Sequence, residues 1–425
     1  MKYAYTNGII LSGREDMSPL SGHSILTDGE RIVDIVPAGM EGSSYKKIDL
    51  GGKYILPGLI NLHVHLPANG KPGSTSDPVK KVRLLTSNGL FRRIVRMVCE
   101  GYARQQLMSG VTTIRTVGGV LSMDNAIRDR IAAGKAVGPR ILASNMAVSV
   151  PGGHMAGSLA YAAESAEEAR SYTARIAADR PDLIKLMITG GVLDAKVKGE
   201  PGELKMPAEY VKAACDEAHR HGLKVAAHVE SPEGVRVALE NGVDTIELGA
   251  KPDEDIIRLF KERGAAHVAT LSPALPYALF DRSISNATET EQFNGQVVFD
   301  GIIACARACL DNGIPVGLGT DTGCPYITHY DMWREVNYFQ RYCGVSNAFA
   351  LYTATLGNAR IAGISAETGS IEPGKCADMI VVSGDPLTDL KALRYVDMVI
   401  ARGNLIQKPV VKTMPQVERE LDKFL

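Results

Sequence analysis

The regular alternation of strand-like and helix-like segments through the middle of the chain limits its fold most strongly. Stretches with helical periodicity, such as Lys81–Met108 and Val297–Asn312, separate short apolar segments. This alternation predicts a parallel sheet, and eight units in about 300 residues fit a closed (β/α)8 TIM barrel of the α/β class. An open doubly wound sheet is the alternative, but no GxGxxG turn follows the first segment. The eight predicted strands are Ile55–His65, Thr112–Val117, Ile141–Ser149, Leu183–Ile188, Lys224–Val229, Thr245–Gly249, His267–Ser272 and Val316–Asp321.

Short strand-like segments with tight turns also occupy both ends of the chain. They fill the region before residue 57 and return in Gly369–Ile371, Asp378–Val382 and Val396–Ala401. Two β-rich ends predict one small β-sandwich domain made of residues 1–56 and 367–425. Residues 57–366 are predicted to form the barrel domain.

Charge and apolar patterning exclude several classes of partner. The 425 residues carry 47 Lys and Arg against 48 Asp and Glu, a net charge of −1. This balance excludes a polybasic nucleic-acid-binding protein, and without an apolar segment of membrane-spanning length we expect no membrane partner. The seven cysteines are scattered and odd in number, which favours a reducing cytoplasm over a disulfide framework. Cys305 and Cys309 are interpreted as small buried hydrophobic residues rather than a metal or redox pair.

Two histidines close the first predicted strand, in the sequence Leu62-His63-Val64-His65-Leu66. Side chains two residues apart on a strand share a face, so both imidazoles project in the same direction. Imidazole is a common ligand of Zn²⁺ in proteins. A solvated or hydrogen-bonded pair is the alternative, and the polar residues of other strands help to decide between the two.

Three further ionisable residues interrupt or end apolar strands. Lys185 lies within Leu183–Ile188, His228 ends the fifth strand and Asp321 ends the eighth. A buried charge on an apolar strand is costly unless it is paired or metal-bound. Taken singly, they could be a lysine reaching solvent, a hydrogen-bonded core histidine and a helix-capping aspartate. Because the strands of a barrel all end at one face, their convergence favours a metal site.

Four longer segments carry a family resemblance: Ile55–His65, Gly317–Asp321, Ala354–Arg360 and Gly369–Val382. Through them the chain resembles the metal-dependent amidohydrolase superfamily, most closely its imidazolonepropionase-like and prolidase-like members. The resemblance covers nearly the whole chain. The last segment is very specific to these enzymes, where it leads from the barrel back into the terminal sheet domain.

The resemblance implies a role for each of these side chains. His63 and His65 would bind the more buried divalent metal, for which zinc is expected, with Asp321 as a further ligand and general base. Lys185 would be carboxylated by CO₂, and its carbamate oxygens would bridge two metals. An ammonium cannot coordinate a cation, whereas a carbamate presents two anionic oxygens. His228 would hold the outer metal.

The sixth strand departs from the family pattern. Families of this kind usually carry Ile-Glu-His-Gly, where this chain has Ile246-Glu247-Leu248-Gly249. Leucine has no donor atom, so the outer metal loses a ligand. Glu230, two residues after His228 and on the same strand face, could replace it or could bind a cationic substrate group. His267 is a poorer replacement, because it begins its strand and should face the wrong end of the barrel. We therefore expect one firmly held metal, with a second weak or absent.

Two residues bear on the substrate. Related dipeptidases often have Tyr at the position of Glu230, where it helps to hold a substrate carboxylate. An acidic residue there favours neutral or cationic amides, ureas or cyclic ureides instead. His154, after Pro151-Gly152-Gly153, is a candidate for polarising the scissile carbonyl, with a surface-loop histidine as the alternative. The polar loops Leu66–Val79 and Pro273–Gln292 are expected over the barrel mouth.

Together these features predict a hydrolase that cleaves an amide, ureide or peptide-like C–N bond of a small molecule. A metal-activated hydroxide attacks the carbonyl, and Asp321 accepts its proton as general base. The alternatives are a one-metal aminohydrolase (deaminase), a prolidase-like dipeptidase or carboxypeptidase, and a barrel that only binds. Relatives commonly associate, so we expect a cytoplasmic homo-oligomer.

Overall fold

Eight parallel strands form the centre of the molecule, and helical segments connect most of them. The computed structural model describes residues 1–73 and 78–425. We refer to the central strands as barrel strands one to eight. In chain order they are Leu59–Val64, Val111–Thr116, Arg140–Leu142 continued by Ala147–Ser149, Leu183–Met187, Lys224–Val229, Thr245–Leu248, Ala266–Ala269 and Val316–Leu318.

Parallel pairing follows chain order around the barrel. Strands one and two and the first half of strand three form one sheet. The second half of strand three through strand eight form a seven-stranded sheet with the short strand Ala160–Ala162. Main-chain hydrogen bonds from Asp321 to His63 (2.9 Å) and from His65 to Thr322 (3.0 Å) bring the end of strand eight against the end of strand one. The predicted parallel α/β architecture is confirmed.

Helices lie between the strands, and several begin at residues whose side chains cap them. Ser165, Ser231 and Asp253 each accept a hydrogen bond from a backbone N–H of the first turn. The α-helices are Pro78–Thr86, Gly89–Met108, Met123–Ala132, Ala166–Ala178, Ala208–Arg220, Pro232–Glu240, Glu254–Arg263, Leu275–Leu279, Arg282–Ser285, Glu289–Asp311, Met332–Cys343, Asn347–Tyr352, Asn358–Ile361 and Pro415–Leu421. A π-helical turn covers Thr353–Gly357, and 3-10 turns cover Leu390–Arg394 and Asp422–Phe424. Within the described ranges, no helix combines the length and apolar character needed to cross a membrane.

Both ends of the chain fold into two facing antiparallel-rich sheets. In spatial order, the four-stranded sheet contains Arg31–Pro37, His23–Asp28, Lys2–Thr6 and Lys46–Asp49. The six-stranded sheet contains Asn404–Gln407, Val396–Ala401, Met379–Val382, Tyr54–Pro57, Ile9–Leu11 and Pro19–Leu20. Side chains from both sheets, among them Tyr5, Ile25, Ile55 and Val381, share one buried apolar core. This arrangement confirms the predicted β-sandwich.

The predicted strand Ile55–His65 is in fact two strands that belong to different sheets. Tyr54–Pro57 pairs with Met379–Val382 in the sandwich, whereas barrel strand one begins at Leu59. The chain changes sheets at Gly58, where an added Cβ would lie 2.2 Å from the Thr112 side chain. Hydrophobic patterning does not reveal the break, because both strands are buried and read as one apolar run.

The two predicted loops contain more helix than their polar composition indicates. Short helices cover Leu275–Leu279 and Arg282–Ser285, so the prediction of an irregular loop over Pro273–Gln292 is wrong. In Leu66–Val79, residues 74–77 lie outside the described residues and a helix begins at Pro78.

Capping residues explain why two predicted helices have other limits. The helix predicted from Val297 begins at Glu289, because Thr288 and Glu291 form a capping box at its N-terminus. The helix predicted as Lys81–Met108 is interrupted, since the Asn88 side chain accepts a hydrogen bond from a backbone N–H and starts a new helix.

Candidate metal centre and active site

The carboxyl ends of barrel strands one and eight bring two histidines and an aspartate together. His63 and His65 share one face of strand one, and Asp321 follows strand eight. Oδ1 of Asp321 lies 3.1 Å from Nε2 of His65 and 3.5 Å from Nε2 of His63. All three side chains are buried, and their donor atoms lie within 4.8 Å of one another. We refer to these three residues as the central cluster.

The other ring nitrogen of each cluster histidine is held by a hydrogen bond. Nδ1 of His63 lies 3.0 Å from Oε2 of Glu247, and Nδ1 of His65 donates to the carbonyl oxygen of Gly118 at 2.8 Å. A proton on Nδ1 leaves the Nε2 lone pair free, which is the arrangement of metal-binding histidines. Burial lowers the pKa of His63 to about 4, so its ring is neutral and able to coordinate.

A buried ion pair lies behind the central cluster and was missed by sequence reasoning. Nη2 of Arg115 on strand two is 2.6 Å from Oε1 of Glu247 on strand six. Burial by itself raises the pKa of Glu247, but the Arg115 guanidinium and His63 hold it at about 2. Both residues are charges within buried strands, so the criterion that singled out Lys185 could have found them too.

Lys185 lies on strand four and is completely buried. Its Nζ has no hydrogen-bond partner among the described residues. Burial lowers the pKa of Lys185 to about 8, against the opposing influence of Glu247 and Asp321. The structure therefore places Lys185 with the central cluster as an amine whose hydrogen-bonding capacity is unused.

Strand five carries His228 into the same region, where it meets His154. The two imidazole rings stack with their centroids 4.2 Å apart and an interplanar angle of 7°. Nδ1 of His154 is 2.5 Å from Oδ2 of Asp194, a residue that sequence reasoning did not identify. Asp194 also accepts a hydrogen bond from the N–H of Gly191 at 3.0 Å. His154 is thus held beside a predicted site residue and is not an isolated loop histidine.

Glu230 is placed next to His228, as the strand alternation predicts. Its Oε1 lies 3.7 Å from Nε2 of His228, and its side chain is buried. Its Oε2 has no hydrogen-bond partner among the described residues. Burial raises the pKa of Glu230 well above its ordinary value.

The end of strand six has no donor side chain, and His267 does not supply one. Leu248 is buried with a left-handed φ of 67°. Nε2 of His267 donates to the Leu248 carbonyl oxygen at 2.7 Å, and the His267 ring lies with Cys305 and Cys309 of helix Glu289–Asp311. We expected His267 to face the wrong end of the barrel. The structure instead directs its ring towards that helix. The two cysteines are fully buried, as predicted, with donor atoms within 4.8 Å of the imidazole.

The central cluster fits a divalent metal by its donor chemistry. It offers two imidazole nitrogens and a carboxylate, the donor types that zinc accepts. Oδ1 of Asp321 is buried without a hydrogen-bond donor in the described part of the chain. The only other compact group of potential ligands in the described ranges is that of His267, Cys305 and Cys309.

Comparison with known proteins agrees with this arrangement. The sequence profile of the amidohydrolase family matches residues 54–406. A structure from Bifidobacterium longum, provisionally assigned as a prolidase, superposes with a TM-score of 0.88 at 35% identity and covers 99% of this chain and 98% of its own. A Xaa-Pro dipeptidase with methionine bound in its active site gives a TM-score of 0.84 at 29% identity, covering 96% and 100%. Ochratoxinase from Aspergillus niger is 26% identical over 335 residues, which are 72% of this chain and 67% of that protein.

Proposed function

Because this chain belongs to the amidohydrolase family and is a hydrolase of carbon–nitrogen bonds, we propose that it cleaves an amide-type bond of a small molecule with one firmly held zinc ion. The observation that carries the proposal is the convergence of His63, His65 and Asp321 beside the unpartnered amine of Lys185. The ureide and peptide-like bonds of small molecules fall within the same chemistry.

The central cluster would hold the metal through Nε2 of His63, Nε2 of His65 and a carboxylate oxygen of Asp321. A bound zinc ion lowers the pKa of a water molecule towards neutrality and polarises the substrate carbonyl. Glu247 and the Gly118 carbonyl keep both rings in the coordinating tautomer.

Asp321 moves the proton in this mechanism. One of its carboxylate oxygens accepts a proton from the attacking water as the oxygen–carbon bond forms. The same oxygen then delivers the proton to the leaving nitrogen as the C–N bond breaks. The neighbouring His63 and His65 outweigh the effect of burial and hold the pKa of Asp321 below its ordinary value, so the carboxylate is ionised and has an oxygen available to accept a proton.

Lys185 reacts with CO₂ in this proposal. The neutral Nζ attacks the carbon of CO₂, an N–C bond forms, and one proton is released to solvent. The product is a carbamate anion with two oxygen donors in place of the neutral amine. The absence of any hydrogen-bond partner for Nζ in the described part of the chain supports the proposal, since an added carboxylate would not displace an existing bond.

His154 binds the carbonyl oxygen of the substrate. Asp194 fixes its Nδ1 and leaves Nε2 free, and stacking on His228 holds the ring plane. His228 and a carbamate on Lys185 would be the ligands of a second metal, and Leu248 offers that metal no donor atom. We therefore expect a second ion to bind weakly or not at all.

Metal analysis and a substrate panel test this proposal. Purified protein is expected to retain about one zinc per chain after mild chelation, and to hydrolyse members of a panel of N-acyl amino acids, dipeptides, cyclic ureides and aryl carbamates. Lys185→Ala is expected to reduce kcat/KM at least ~100-fold and to lower metal content, with partial rescue by acetate or propionate. Lys212→Ala, at an exposed lysine, is the matched control.

Other outcomes separate the alternatives. Ammonia release without cleavage of a chain or ring identifies a deaminase. Two zinc ions that resist chelation contradict the one-metal hypothesis. Full metal occupancy without turnover on any amide contradicts the hydrolytic mechanism itself.

We further propose a cytoplasmic homo-oligomer. The seven cysteines lie unpaired in the described structure, as a reducing compartment requires. Helix Gly89–Met108 exposes Leu90, Ile94, Met97 and Val98 at helical spacing, a stripe that a second copy could cover. Light scattering after size-exclusion chromatography measures the assembly, and a mass of 45.5 kDa, that of one chain, contradicts it.

A further inference from the structure

Glu230 is a buried carboxylate without a cationic partner in the protein. It is 7% exposed, and Oε2 has no hydrogen-bond donor among the described residues. His228, whose Nε2 is 3.7 Å from Oε1, is the only basic side chain of the described ranges within 4.0 Å. At 3.7 Å the two atoms are too far apart for a hydrogen bond, so His228 leaves the Glu230 carboxyl group without a close partner.

Another buried carboxylate of the site, Glu247, is paired within the chain with Arg115 and His63. Asp321 belongs to the central cluster, where the proposed metal would balance its charge. A carboxylate buried without a partner is costly, and the cost falls when a bound ligand supplies the missing cation. The missing partner of Glu230 therefore points to a ligand that carries positive charge.

Glu230 also lines an acidic groove at the carboxyl ends of strands five and six. The groove has a volume of about 650 Å³ and runs between the loop at residues 199–204 and helix Glu289–Asp311. Its charged lining residues are Glu200, Glu203, Glu230, Glu233, Asp300 and Lys251. Glu203 is paired with Lys205 at 2.5 Å, which leaves four carboxylates against one ammonium, a balance that attracts a cationic group and repels an anionic one.

We propose that the Glu230 carboxylate binds an ammonium or guanidinium group of the substrate, so that cationic amides are the preferred substrate class. This inference rests on the proposed amide hydrolysis. A metal ion is the other cation that Glu230 could take, and the metal content of Glu230→Gln separates the two cases. The acidic lining of the groove is the observation that favours a cationic substrate group.

Matched substrates test the proposal. Nα-acetylated amides of lysine are compared with those of norleucine, and Nα-acetylated amides of arginine with those of citrulline, so that the members of each pair differ in side-chain charge but little in shape. In the unsubstituted protein, kcat/KM for the cationic substrate is expected to exceed kcat/KM for its neutral partner. The ratio of these two values is expected to fall on the order of 30-fold in Glu230→Gln. Glu209→Gln removes an exposed carboxylate outside the groove and is expected to leave the ratio unchanged.

Two further measurements keep this inference distinct from the proposed function. Calorimetry with the Nα-acetyl derivatives of lysinamide and norleucinamide, which are cationic and neutral respectively, reports charge recognition by the metal-loaded protein even if no amide is hydrolysed. Tighter binding of the lysine derivative that is lost in Glu230→Gln supports the inference, and equal binding overturns it. Metal content of Glu230→Gln is expected to match the unsubstituted protein, and its loss would identify Glu230 as a metal ligand instead.

Discussion

At the scale of single residues, the partner of one ring nitrogen decides what the other can bind. Nδ1 of His63, His65 and His154 is taken by Glu247, by a main-chain carbonyl and by Asp194 respectively. In each ring Nε2 is then the nitrogen left for a metal or a substrate. The chemistry of the site thus depends on side chains that would touch neither metal nor substrate.

Asp194→Asn tests this dependence at His154. Asparagine can donate its amide N–H to Nδ1 of His154 and so favour the tautomer that carries its proton on Nε2. We therefore expect kcat to fall about 10- to 100-fold. Metal content should be unchanged, because Asp194 lies outside the central cluster. Steady-state kinetics and metal analysis provide the two readouts, with Asp216→Asn on the exposed helix surface as control. A variant that loses its zinc would show that Asp194 acts on the metal rather than on His154.

Leu248→His tests whether one missing donor determines the metal count. Histidine tolerates the left-handed backbone found at this position, and it is the residue that the family resemblance leads us to expect there. We expect metal content to rise from about one to about two ions per chain in zinc-containing buffer. Leu248→Met, which keeps the volume without an imidazole, should remain at one. If both variants hold one ion, the second position lacks more than this ligand.

At the scale of elements, the site depends on how closely strand eight approaches strand one. Gly319 follows strand eight, and a Cβ added there would lie 2.4 Å from Cβ of His63 and 2.7 Å from its main-chain nitrogen. Neither atom is the far end of a flexible side chain, so the two strand ends would have to separate. This close approach places Asp321 against both imidazoles.

Gly319→Ala is therefore expected to damage stability and metal binding together. We expect a loss of about 2 kcal/mol in unfolding free energy, since overpacking of this kind costs about 1–3 kcal/mol. Urea denaturation and zinc titration measure the two effects. Gly101→Ala, in the middle of a helix with open space around it, should stabilise by up to about 1 kcal/mol. Unaltered zinc affinity in Gly319→Ala would mean that the strand ends separate without moving the ligands.

At the scale of the whole molecule, one buried arginine ties the C-terminal helix to the barrel. Arg334 is completely buried in helix Met332–Cys343 and donates to Asp331 (3.0 Å), Glu418 (2.9 Å) and Asp422 (2.5 Å). Arg394, near the sandwich strands, also pairs with Glu418. The network thus connects parts of the chain that are far apart in sequence.

Arg334→Met is expected to destabilise the protein by about 3 kcal/mol, because it leaves the buried Asp331 without a cation and Glu418 and Asp422 with Arg394 alone. Arg419→Met, on the exposed side of the same C-terminal helix, should change stability by less than about 0.5 kcal/mol. Thermal and urea unfolding of both variants give the comparison. Equal stability of the two variants would show that Arg394 alone is sufficient to hold the helix.

Apolar periodicity by itself determined the barrel and the sandwich, because strands and helices have local repeats that a single sequence displays. It also placed His63, His65, Lys185, His228 and Asp321 at or near strand ends, and parallel topology requires such ends to share one face. Periodicity did not find the change of sheet at Gly58, since two consecutive buried strands read as one.

Only the tertiary structure decided which polar groups are paired. Arg115 meets Glu247 across 132 positions, and Asp194 meets His154 across 40. Glu230 resembles these carboxylates in the sequence, yet in the described structure the only basic side chain within 4.0 Å of it is His228, at 3.7 Å. Hydrogen bonds and ion pairs form only when atoms of segments remote in sequence come within about 3 Å of each other. Such distances cannot be predicted from the local sequence.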